Sequence, residues 1–159
     1  MPRRSPTAED RVLAIRALLD GLVRGEDTVV IAQNVIELHP KNDTFPGEVF
    51  IQIGAEALRI SEATAQDPIP MEGLLAAFLP EQEFRGRENR KIRYALFACS
   101  STSAGLEPDL LDEVSWWQTD DFWRYALCAA VALIRASAAH RGMSVTAMVH
   151  ELDTSILSN

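Results

Sequence analysis

Residues 107–134 read EPDLLDEVSWWQTDDFWRYALCAAVALI, and this stretch decides the fold. Six acids (Glu107, Asp109, Asp112, Glu113, Asp120, Asp121) and three tryptophans (Trp116, Trp117, Trp123) lead into ten residues, Tyr125 to Ile134, without a charged side chain. At a period of 3.6 residues such a run leaves no polar stripe, so a helix built from it must be covered on every side. Thr119 followed by Asp120 and Asp121 is a candidate N-cap, and Gly142 suits a left-handed stop, placing the central helix at about 119–140. Ala126, Ala129, Ala130 and Ala132 let neighbouring helices come close, while Leu127, Val131 and Ile134 fill volume.

Working outward, the remaining segments also read as helices. Thr7 with Glu9 and Asp10 behind it is a good N-terminus, and Val12, Ile15, Leu19 and Leu22 repeat at helical spacing as far as Gly25. Residues 28–39 (TVVIAQNVIELH) carry a β-branched cluster, yet Ile31, Val35 and Leu38 line one helical face and no hairpin signal adjoins them. After a loop rich in proline and asparagine, a helix is expected from about Pro46 to Ala65. Short helices follow at 71–79 and 108–114, with a longer one at 86–99 striped by Ile92, Leu96 and Cys99. Ser100–Gly105 reads as a connector, Ser115 with Gln118 as a capping box, and Ser144 as the cap of a last helix bearing Val145, Met148, Val149 and Leu152. The expectation is an all-α fold, a bundle or orthogonal array of roughly six to eight helices around the central one. No repeat or linker divides the chain, so residues 7–155 read as a single domain behind a flexible tail, 1–6.

Composition narrows the function classes. The chain has 159 residues, 47% hydrophobic and 24% charged, ordinary for a globular protein. Its longest apolar run is half the ~20 residues that a bilayer crossing needs, so no membrane role is expected. Arg3 and Arg4 are followed by Glu9, Asp10 and Arg11 rather than by an apolar stretch, which is not a signal-peptide pattern. Cys99 and Cys128 sit among apolar residues and read as buried and reduced, which places the protein in the cytoplasm. A net charge of −8 opposes wholesale nucleic-acid binding. Charge is nevertheless segregated. Arg85, Arg87, Arg90, Lys91 and Arg93 stand against one acid, Glu88, whereas residues 107–121 hold six acids and no base.

No stretch carries catalytic or cofactor chemistry. His39, His140 and His150 are scattered, His150-Glu151 lacks the second histidine of a zinc-protease helix, and glycine-rich phosphate loops are missing. Asp109, Asp112 and Glu113 have neither the ligand spacing nor the glycine of a calcium loop, so no metal and no cofactor is expected. The candidate partner-binding residues are Arg87, Arg90, Lys91 and Arg93, with Arg87, Arg90 and Lys91 facing away from the apolar stripe, and the aromatic group Trp116, Trp117 and Trp123. These features point to a non-enzymatic interaction or regulatory protein that meets a protein partner or a second copy of itself, as a homodimer. The alternatives are a nucleic-acid-associated regulator using the basic 85–93 helix, and a helical domain with a small-ligand or enzymatic pocket.

Overall fold

The computed structural model describes residues 7–38, 48–64, 87–103 and 122–157. They form six helices and, among the described residues, no strand. In chain order these are α1 (Ala8–Val23), α2 (Thr28–Leu38), α3 (Glu48–Thr64), α4 (Arg87–Ser103), α5 (Phe122–His140) and α6 (Val145–Leu157). The all-α expectation holds, and residues 28–38 are helical despite their β-branched cluster. The tail 1–6, the helices expected at 71–79 and 108–114, and the caps at Ser115 and Thr119 lie outside the described residues.

Local chemistry fixes the helix ends. Thr7 accepts a hydrogen bond from the Asp10 amide at 3.1 Å while the Asp10 carboxylate accepts from the Thr7 amide at 2.9 Å, a reciprocal cap with two acids in the first turn. α1 and α5 stop in the same way. Gly25 (φ 73°) and Gly142 (φ 66°) adopt the left-handed conformation that glycine reaches without steric cost. The amides of Glu26 and Met143 then donate back to the carbonyls of Gly21 and Ala138, both at 3.0 Å. Ser144 caps α6 by accepting from the Ala147 amide at 3.1 Å.

Helix α5 lies at the centre and packs against all five other helices. Every residue from Tyr125 to Ile134 is buried, as are Ala136, Ser137 and Ala138. Helix α3 is its main neighbour and meets α4, α1 and α6 as well, presenting Val49, Phe50, Ile53, Ala57 and Leu58 to the core. The two helices touch where they carry the least bulk. A Cβ placed on Gly54 would stand 2.7 Å from Cys99 Sγ, 3.1 Å from Leu133 Cδ1 and 3.5 Å from the Ala130 Cα. This glycine is therefore a spacing requirement, set by the α3–α4–α5 contact.

Three details depart from the sequence reading. Val12 is 44% exposed, because the buried face of α1 centres on Leu18, and Val12 lies roughly 120° around the helix from it. Leu38, assigned to the inner face of α2, is 45% exposed at the end of that helix. Helix α4 continues through Ser103 instead of ending at Cys99. Serine is only mildly unfavourable in a helix, and buried Ala98 and Cys99 anchor the turn before it.

Gly54→Val should lower stability by at least about 2 kcal/mol through overpacking, with an unchanged denaturant m-value. A variant with the parent's midpoint would show that α3 and α5 do not meet so closely.

Candidate interaction surfaces

Helix α4 carries the basic residues singled out in the sequence. Arg87 and Arg90 belong to its first turns. The buried arc of the helix comprises Ile92, Ala95, Ala98 and Cys99, and Lys91 falls at its edge instead of on the opposite face. Lys91 is half-buried, with its ammonium 5.1 Å from the centre of the Tyr125 ring, a cation–π contact that links α4 to α5. Arg93 is exposed, and one turn later Phe97 is exposed to 54%, the highest value among the large apolar side chains described. The outward face of α4 thus offers a guanidinium and a phenyl ring side by side.

Of the aromatic group, only Trp123 lies within the described residues. Trp123 is 8% exposed and belongs to the core cluster, with Arg124 over its ring at 5.7 Å. Trp116 and Trp117 lie outside the described residues.

A second surface was not anticipated. Helix α2 buries Ile31 and Val35 but leaves Val29, Val30, Ile36 and Leu38 between 37% and 48% exposed, and Val23 at the end of α1 is exposed beside the turn that joins them. The warning was present in TVVIAQNVIEL, which holds more large aliphatic side chains than one face of a three-turn helix can bury. The turn leading into α2 is rigidly tied. The Glu26 carboxylate accepts from Arg24 Nε at 2.9 Å and from Asn34 Nδ2 at 3.1 Å, and Arg135 on α5 donates to the Glu26 carbonyl oxygen at 3.2 Å.

A third feature is an open cleft of about 300 Å³ between α1, α3 and α6. Its rim holds Glu56, whose carboxylate accepts from Arg59 Nε at 2.9 Å, from Arg59 Nη2 and from the Ser155 hydroxyl. The bond from Arg59, helped by Ser155, holds the Glu56 carboxyl below its usual range, against burial, which acts the other way. Cys99 is the opposite case. Complete burial pushes its thiol up to about 12, so it stays protonated and serves packing, not nucleophilic chemistry.

Among the described residues no group of three or more His, Cys, Asp or Glu side chains is placed to hold a metal ion, and no helix is long and apolar enough to cross a membrane. Compared with family models, with curated proteins and with solved structures, the chain finds no match.

Glu56 is more acidic folded than unfolded, so its contribution to stability is fully present above the ordinary value of 4.5 and is lost as pH falls through the lower folded value. Glu56→Gln should therefore reduce the loss of stability on acidification below pH 4.5, measured as denaturation midpoint against pH. Superimposable acid limbs for parent and variant would contradict this assignment.

Proposed function

We propose that the protein is an interaction protein that self-associates through the outer face of α2 and offers the outer face of α4 to an acidic protein partner. The observation that carries this reading is α2, which exposes four large aliphatic side chains and buries two. Several large aliphatic side chains left in solvent on one short helix suit an interface, and homodimer interfaces are the most apolar. A second copy is the occupant that charge favours. Two chains of net charge −8 repel except where little charge is carried, and Glu37 is the sole charged residue of α2. The basic half of α4, with Arg93 and Phe97 outward, fits the Arg-and-aromatic chemistry of binding hot spots and would attract acidic surfaces. Two buried cysteines that form no disulfide are in keeping with a cytoplasmic setting. A nucleic-acid role for Arg87, Arg90, Lys91 and Arg93 is less well supported, since the net charge opposes it and Lys91 already lies over Tyr125.

Sedimentation velocity at about 50 mM and about 500 mM salt tests the reading, because an apolar interface survives screening whereas one held by ion pairs does not. The parent should sediment as a dimer at both, and Ile36→Glu as a folded monomer. A parent that is monomeric at both salts over micromolar concentrations, or an Ile36→Glu protein that still dimerises, would remove the α2 interface.

A further inference from the structure

Acids outnumber bases in this chain by 23 to 15, and arginine side chains accordingly find partners. Arg16, Arg24, Arg59 and Arg141 each pair with a carboxylate, Arg135 donates to a carbonyl oxygen, and Arg124 lies over the Trp123 ring. Among the described residues the Arg93 guanidinium has no such partner. One turn further along α4 stands Phe97, the single exposed Phe, Tyr or Trp among the described side chains. Four residues advance a helix by about 6 Å and leave both side chains on one row, which exposed Ser100 continues. The row begins in a basic stretch, since Arg87–Arg93 holds four bases and one acid.

We propose that the outer face of α4 receives an acidic amphipathic helix of the partner, which sets a carboxylate on Arg93 and, one turn away, a branched aliphatic side chain on the Phe97 ring. This rests on the reading of α4 as a face for acidic partners and adds what such a partner must carry. Charge selects the acid, because a guanidinium fork matches a carboxylate and the neighbouring positions are basic. Phe97 selects the apolar group, since a purely acidic segment would leave the ring in water. The helical form follows from α4 itself. It presents a convex helix surface, with no strand edge among the described residues for an extended peptide to join, and helices meet such a surface ridge into groove. A nucleic-acid strand fits less well, because strand-binding grooves stack successive bases on several rings and this row offers one, in a chain of net charge −8.

The test is fluorescence anisotropy with the full-length protein at about 50 mM salt, where surface charge is little screened. The labelled probes are a short glutamate–alanine helix with a leucine one turn from each glutamate, the same peptide with alanine for leucine, and a uridine oligonucleotide of equal charge. The leucine peptide should bind with a Kd on the order of 10 µM, and the alanine peptide about tenfold more weakly. Phe97→Ser should bring the leucine peptide down to the level of the alanine peptide and leave the alanine peptide as it was. Arg93→Gln should weaken both by about fivefold. Both positions are exposed, so the far-ultraviolet circular dichroism of each variant should match the parent's. Equal binding of the two peptides, or a leucine peptide indifferent to Phe97→Ser, would overturn the proposal and leave α4 a face for acidic partners in general. Failure of both peptides to bind, or tighter binding of the oligonucleotide than of the leucine peptide, would overturn that broader reading with it.

Discussion

The structure depends on one helix having no outside. Because α5 meets five neighbours, every side chain from Tyr125 to Ile134 must fit against something, and the neighbours' spacing is set by how little α5 projects. Ala126, Ala129, Ala130 and Ala132 keep that projection small, and Gly54 answers them from α3, where even a methyl group would run into Cys99. Burial of each larger residue, Leu127, Val131, Leu133 and Ile134, contributes about 1.5–3 kcal/mol. Their sum stabilises the fold only while the small residues hold the helices in contact.

Polar chemistry sits around this centre and sets register more than it supplies energy. Arg141 grips Glu151 through two bonds at 2.7 and 3.2 Å and clasps the α5–α6 turn, while Arg16 reaches Asp153 to join α1 to α6. Glu26 and Arg135 do the same for the α1–α2 turn. Part-exposed pairs of this kind contribute roughly 0–1 kcal/mol each. Their positions at turns give them a different role, fixing the direction in which α2 and α6 leave the core. The proposed α2 surface and the α1–α3–α6 cleft both depend on those directions.

Much of the fold was legible because its signals are local or overwhelming. Thr7, Ser144, Gly25 and Gly142 mark helix ends by backbone chemistry that needs no tertiary contact, and ten apolar residues in a row allow only one environment. The failures share another cause. Val12 and Leu38 match the helical period, but the period does not say which part of an apolar arc meets a neighbour. Lys91 reads as a solvated cation until Tyr125, far along the chain, is brought beneath it. The cleft was invisible for the same reason, since Glu56 and Ser155 lie on helices separated by most of the chain.

Thermal unfolding of Val131→Asp, beside Val12→Asp as a surface control, tests the enclosed helix most directly. Val131 is 1% exposed, so an aspartate there leaves an unpaired charge in the core, and the cooperative transition and near-ultraviolet circular dichroism should be lost. The control, at a position 44% exposed, should stay within about 0.5 kcal/mol of the parent. A Val131→Asp protein that melts as the parent does would contradict a central helix closed to water.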